Sequence, residues 1–344
     1  MNNFLKFTIL AVFVVGLFLG AEGFYSGLAN TFEGAIASIG NSASVRNLYL
    51  DSLIGRAIGS RKEYELVLVG DVMLSRGVGH QINKNNDAHF PFLKIAKFLN
   101  SADLVFGNLE SPVSSRGEDL GSTYSFRAEP KVVEGLKYAG FDVVSLANNH
   151  ILDWGGVALQ DTVNLLRGSN IVSVGAGKDY LEANKPAVLR LGNTKIAFLA
   201  YTDLYPKSLR AGEDYSGVSD FDLEKVKMAV AEAREAVDLA VISWHWGEEY
   251  QTHSNLHQQE IAHALIDAGA DLVVGHHPHV PQEIERYKEG WIAYSLGNFV
   301  FDQNFSEETM GGLALEVAVK AKKIQEVRPI YFKINSHFQP YFEE

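Results

Sequence analysis

Cysteine is absent from the chain, which removes disulfides, cysteine-zinc sites, iron–sulfur clusters and thiol nucleophiles together. That absence leaves the compartment open, because a cysteine-free chain works in oxidising and reducing surroundings alike. Positive charge is scarce: 30 Lys+Arg against 42 Asp+Glu give a net −12, which argues against nucleic acid as a partner. Such a surface also repels polyanions unless a local cation reverses the field. Long apolar runs are scarce too. The main one, Phe7–Ala21, spans about 22 Å as a helix, short of a hydrocarbon core of about 30 Å. Internal repeats and low-complexity tracts are missing. What remains is 344 residues, 47% hydrophobic and 21% charged, enough to bury a sizeable core.

The run Phe7–Ala21 follows Lys6 and ends before Glu22. Its length suits the apolar region of a signal peptide. Leu19 stands at the −3 position for a cut after Ala21, which does not fit an Ala-x-Ala site. An uncleaved anchor is the alternative, with Lys6 snorkelling and Phe24 and Tyr25 at the interface. Either reading makes residues 1–21 a signal peptide or membrane anchor. Either also exports the rest, membrane-anchored or secreted, to face outside the cytoplasm. Residues 22–62, rich in Gly, Ala, Ser and Asn, read as a spacer or stalk. The folded domain is expected over 63–344.

From Glu65 the pattern changes. Leu66–Val69, Asp103–Phe106, Phe141–Ala147, Lys195–Tyr201, Asp238–Trp244 and Asp271–Val274 are short, nearly continuous apolar runs. Between them, Phe92–Leu99, Val132–Ala139, Val157–Leu166, Leu223–Ala236 and Leu256–Ala268 carry helical spacing. This alternation predicts an α/β fold with strands covered on both faces. After Pro281 the helical patterns stop. Ile284–Tyr287, Trp291–Leu296, Leu313–Val319 and Val327–Ile334 predict a closing antiparallel portion.

Asp71, Asn108, Asn149, His150, His245 and His276 each fall at or just past the carboxyl end of a predicted strand. In open α/β sheets ligands bind at that edge. A lone histidine there is usually a structural residue, but several strands delivering His, Asp, Asn and Glu to one rim suggest a metal site. Imidazole and carboxylate without sulfur suit divalent Mn, Fe or Zn, which the donors do not distinguish.

Six ordered motifs carry a resemblance: Gly70-Asp-Val-Met-Leu74, Gly107-Asn-Leu-Glu-Ser-Pro112, Leu146-Ala-Asn-Asn-His150, Ser243-Trp-His-Trp-Gly-Glu248, Gly275-His-His-Pro-His-Val280 and Tyr294-Ser-Leu-Gly-Asn-Phe299. Together, over about 65–301, they resemble the CapA family of poly-γ-glutamate capsule synthesis proteins, relatives of the calcineurin-like metallophosphoesterases. The resemblance implies a four-layer αββα sandwich of the metallophosphoesterase type, in a membrane-attached, outward-facing domain linked to capsule polymer production. It also implies divalent metal held by Asp71, Glu110, Asn149, His245, His276 and His279, with His150 as the catalytic general acid. Asn108, Arg76, Arg127 and Glu248 are candidates for substrate binding, the arginines as anion clamps.

The chain departs from the broader superfamily. Val72 and Met73 follow Asp71 where Asp-x-His is expected. Asn108 and Glu110 stand where a bridging Asp belongs, and Asp153 lies two residues beyond its usual place. Other signals carry less. Gly175-Ala-Gly-Lys-Asp179 lacks the first Gly and the Ser/Thr of a P-loop, and His253 and His257 lack the HExxH context. Three classes of function stay open. One is a metal-dependent hydrolase or transferase acting on a phosphoester or γ-glutamyl amide. The second is a non-catalytic accessory that holds anionic polymer or membrane synthase subunits. The third is a glycosidase using Glu110 and Glu248, which leaves the histidines unexplained.

Overall fold

The computed structural model describes residues 63–343. The expectations for residues 1–62 lie outside the described residues. Among those described, no helix is long and apolar enough to cross a membrane.

The chain opens with β1 (Tyr64–Val72), then α1 (Arg76–Asn85), a 3-10 turn at Phe90–Phe92 and α2 (Ala96–Leu99). Next come β2 (Leu104–Leu109), α3 (Val132–Ala139), β3 (Val143–Ser145), α4 (Gly155–Gly168), β4 (Val172–Val174), β5 (Ala176–Gly177) and α5 (Tyr180–Asn184). The middle holds β6 (Ala187–Leu191), β7 (Thr194–Thr202), β8 (Gly217–Val218), α6 (Leu223–Ala236), β9 (Leu239–His245) and α7 (Leu256–Asp267). Strands β10 (Leu272–His276), β11 (Ile284–Tyr287), β12 (Gly290–Ala293) and β13 (Asn298–Val300) follow. The described chain closes with β14 (Gly311–Lys320), β15 (Lys323–Ile334) and β16 (Pro340–Tyr341).

These form a mixed α/β fold. One sheet runs β16-β15-β14-β1-β2-β3-β4, with β13 also on β1; a second runs β11-β12-β10-β9-β7-β6. Side chains alternate along β1, so Leu66 and Leu68 point one way and Val67 and Val69 the other. Leu66 and Leu68 pack with Phe198, Val241 and Val274, so the two sheets face each other. Phe106 stacks on Phe198 across that interface at 5.4 Å. Val67 and Val69 pack instead with Val78, Leu136 and Leu159 of the helices. The outer face of the second sheet is covered by α6 and α7 through Val226, Val230, Ile261 and Leu265. Strands buried on both faces can be apolar at every position, which explains the continuous runs. Truncating Phe106 to Ala removes contacts to both sheets and should cost about 3–5 kcal/mol.

Three expectations change. Phe92–Leu99 is a 3-10 turn followed by one turn of helix, because Pro91 opens the turn and Phe92, Ile95 and Leu99 are all drawn into the core. Helix α1 was not foreseen, since only Val78 and Ile82 of its ten residues are buried. The segment after Pro281 is not wholly antiparallel: β12 pairs parallel with β10, and β13 parallel with β1. The segment joining β12 to β13 crosses the core, with Tyr294 on the outer face of the second sheet, Leu296 between the sheets and Phe299 on the helix side of the first.

Candidate metal centre

Strand register gathers the polar residues. Asp71 on β1 pairs with Asn108 on β2 and Asn298 on β13. His245 at the end of β9 pairs with His276 at the end of β10. The glycines of two motifs allow the neighbouring loop to approach. A Cβ at Gly70 would lie 1.9 Å from the Gly297 carbonyl oxygen, and one at Gly275 would lie 1.9 Å from that of Tyr294.

The loop after β10 turns sharply, with His277 at φ 95° and His279 at φ 60°. Non-glycine residues in this left-handed region are uncommon and concentrate at functional sites. The bend returns both imidazoles to the carboxylates. His279 Nδ1 lies 3.3 Å from Asp71 Oδ2 and 3.0 Å from Asn298 Oδ1, while its Nε2 lies 3.7 Å from Glu110 Oε1. His245 Nε2 lies 3.6 Å from Glu110 Oε2. Asn108 Nδ2 donates to Asp71 Oδ1 at 2.8 Å and to Glu110 Oε2 at 3.3 Å, and Asn148 donates to Asn108 Oδ1 at 3.1 Å.

Three groups of ligand atoms lie within 4.8 Å of one another: Glu110, His245 and His277; Asp71, Glu110 and His279; and Glu249, His277 and His279. Glu110 joins the first two. Asp71, Glu110, His245 and His279 are buried. Buried polar atoms without hydrogen-bond partners include Glu110 Oε1, Asn149 Oδ1, both ring nitrogens of His245 and of His276, and His277 Nδ1. Each buried polar atom left unpaired costs about 1–3 kcal/mol, a cost that coordination of a cation by this cluster would offset. The donor set is carboxylate, amide oxygen and imidazole, which fits a divalent ion.

Electrostatics follow from burial. Burial opposes charge on Asp71, but the imidazoles of His276 and His279 outweigh it and hold the carboxyl well below its ordinary range. Burial and the adjacent Asp71 carboxylate push Glu110 up to about 8. Burial also disfavours the charged form of His279, yet Glu110 and Asp71 raise it to about 9. Burial, reinforced by the neighbouring imidazoles, holds His245 and His277 well below the usual imidazole range. Neutral imidazoles are the form that binds metal.

His150 stands beside this cluster, half-buried. Its Nδ1 lies 2.8 Å from Asp153 Oδ2, and its ring stacks on Phe126 at 4.0 Å. Asp153 also accepts from the Phe126 amide and the Ser122 hydroxyl, each at 2.8 Å.

The structure departs from several sequence expectations. His276 contacts Asp71 Oδ1 at 3.2 Å but belongs to none of the three groups. His277 and Glu249 take part in them instead. Asn108 is fully buried with its amide engaged by two carboxylates and Asn148, so it braces ligands and does not face substrate. Arg76 pairs with Asp302, at 2.9 Å and 3.2 Å, and Arg127 lies flat over Trp154 at 3.5 Å. Both line a pocket next to the cluster. Glu248 is exposed on the turn after β9. Only the His-His-Pro-His spacing hinted at His277, and the positive φ that turns it inward has no sequence signature outside Gly and Asn.

Two facing sheets with a His–carboxylate cluster at their strand ends define a two-sheet α/β protein with a candidate metal centre. The chain belongs to the family described as bacterial capsule synthesis protein PGA_cap, which it matches over residues 65–303. It is 33% identical over 249 residues to the capsule biosynthesis protein CapA of Bacillus anthracis, covering 70% of this chain and 60% of that protein. Against the PGA biosynthesis protein CapA of Bacillus subtilis (strain 168) it is 35% identical over 241 residues, covering 69% and 63%. The chain therefore spans less than two thirds of these relatives' lengths. A crystal structure of a novel phosphatase from Mycoplasma pneumoniae shares the fold with a TM-score of 0.50 at 16% identity, covering 79% of this chain and 94% of that one.

Proposed function

We propose that this protein acts outside the cytoplasm in the synthesis of poly-γ-glutamate or another cell-envelope polymer, as a metal-dependent hydrolase or transferase. The carrying observation is the pair of ligand groups that share Glu110, one with Asp71 and His279, the other with His245 and His277. We read the helix–sheet–sheet–helix layering as the four-layer αββα sandwich of metallophosphoesterases. Asp71, Glu110, Asn149, His245, His277 and His279 would hold one or two divalent ions. Such an ion supplies activated water near neutral pH and polarises a phosphoryl or carbonyl oxygen.

The chain's own groups do the rest. Asn108 and Asn298 fix the carboxylate and imidazole orientations from behind. Asp153 holds Nδ1 of His150 and leaves Nε2 to hand its proton to the leaving group. The Phe126 ring covers one face of that imidazole and limits water there. Residues 1–21, as signal peptide or anchor, support the location outside the cytoplasm.

A second reading is favoured by relatives in Mycobacterium tuberculosis named probable polyglutamine synthesis accessory proteins, 34% identical over 257 residues. In that reading the same cleft binds polymer or a synthase subunit without turning anything over. Elemental analysis of the full chain, with turnover of a nitrophenyl phosphate and a γ-glutamyl amide, separates the two. Bound divalent metal with turnover that stops in chelator supports the hydrolase; metal-independent polymer binding without turnover supports the accessory. A cytoplasm-only reporter fused after residue 62 should be silent, and a strong signal would refute export.

A further inference from the structure

Beside the candidate metal centre lies a recess of about 280 Å³, between α1 and the start of α3. Ser75, Arg76, His80, Asn83, Arg127 and Lys131 line it, with Glu129 as the one carboxylate in the lining. Asp302 pairs with Arg76 and Glu129 with Lys131, so the three permanent cations of the lining leave the charge of Arg127 uncompensated, a local positive excess in a chain whose net charge is −12. Its size is at the lower limit for small-molecule sites. That suits one or two small charged units.

The recess is coupled to the catalytic cluster by one aromatic ring. Phe126 stacks on His150 at 4.0 Å and also carries the Arg76 guanidinium at 5.1 Å. Arg127 follows Phe126 directly, and Ser75 lies four residues beyond Asp71. The cations are held in place. Arg76 adopts φ 49°, and Asp302 fixes its side chain while also accepting the Gly77 amide at 2.9 Å. Arg127 rests on Trp154 and donates to the Arg116 carbonyl at 3.2 Å; among the described residues it meets no carboxylate within ion-pair distance. Lys131 contacts Glu129 at 3.2 Å and the Asn83 amide oxygen. Fixed, partly unneutralised cations lower the entropy lost on binding an anion.

We propose that this recess is an anion subsite that takes the next charged group of a polyanionic chain whose scissile linkage lies at the metal centre. The inference rests on the hydrolase reading and names its substrate class: a chain bearing repeated carboxylates or phosphates. A monomer fills the metal centre alone. A longer chain passes His150 and Phe126 and gains the contacts of Arg127 and Lys131.

The test is calorimetric titration of the full chain loaded with Mn²⁺, using γ-linked glutamate oligomers of one, three and six units and polyphosphates of matching length. Affinity should rise with length in one series, by about tenfold per cation engaged; the series that shows the rise identifies the charged group. R127Q/K131Q should abolish that rise, and R127K/K131R should keep it. Because Arg127 also packs on Trp154, K131Q alone is the second variant and should remove about half of the gain on a logarithmic scale. No length dependence in either series, or equal losses for monomer and hexamer, overturns the subsite. Repeating the titration in chelator separates the two readings. A length-dependent gain that depends on Lys131 in a protein without metal-dependent turnover keeps the subsite and removes the hydrolase.

Discussion

Strand β1 carries carboxylate clusters near both ends, roughly 20 Å apart, and they differ in kind. At its start, Glu65 joins Glu63, Asp103, Glu316 and Glu326 around a recess that Arg328 closes. Arg328 is bound to Glu316, Asp103 accepts the Glu65 amide at 3.0 Å, and water reaches the group. At its other end, Asp71 and Glu110 are fully buried among imidazoles, and the ring nitrogens of His245 and His276 have no hydrogen-bond partners. Acidic residues gathered at a surface are solvated and screened. Carboxylates buried with unsatisfied donors are held against a standing cost. The difference marks the second cluster as a site.

The largest effect should come from Glu110, the residue common to two ligand groups. Glu110→Gln should lower metal affinity by more than about 100-fold, the upper end for outer-sphere partners. His277→Ala should approach that loss, while His276→Ala, which pairs with Asp71 alone among the grouped residues, should fall within about 10–100-fold. Metal content by mass spectrometry decides; a greater loss at His276 than at His277 would reverse their roles. His253→Ala, exposed and distant, should change nothing.

Next in size is His150→Ala, expected to slow turnover by about 10²–10⁴ with metal content retained. The loss should shrink for nitrophenolate, a leaving group that departs without protonation. Equal losses on good and poor leaving groups, or loss of metal, would show that His150 is not the acid. Asn149→Ala should do the opposite and reduce metal occupancy.

Chelation should destabilise the domain by about 3–4 kcal/mol when metal is present at 100–1,000 times its dissociation constant. Thermal melts with and without chelator measure this, and an unchanged midpoint would remove the metal from the site. The smallest effect belongs to the opposite cluster. Burial and Glu316 raise Glu65 above its ordinary 4.5. The folded state therefore favours the protonated form, so the cost of its charge is present above that ordinary value and disappears as pH falls. Glu65→Gln should raise stability at pH 7 by less than about 0.5 kcal/mol, and the gain should fade toward pH 4. A gain that grew with acidity would contradict the assignment.

Periodicity alone placed the doubly buried strands and four of the helices, because strands covered on both faces must be apolar throughout and helices on one face must repeat. The strand-end rule picks out Asp71, Asn108, Asn149, His150, His245 and His276, whereas Glu110 and His279 enter only through the family resemblance. What the sequence left undetermined was direction. His277 enters the cluster and His276 stands beside it because two left-handed residues bend the loop after β10. Asn108 braces the carboxylates because register sets it against Asp71. Helix α1 forms on few apolar residues because tertiary packing of Val78 and Ile82 supports it. Local sequence records whether a residue must be buried; only the assembled sheets decide which buried atoms meet, since register and loop curvature depend on contacts between segments distant in the chain.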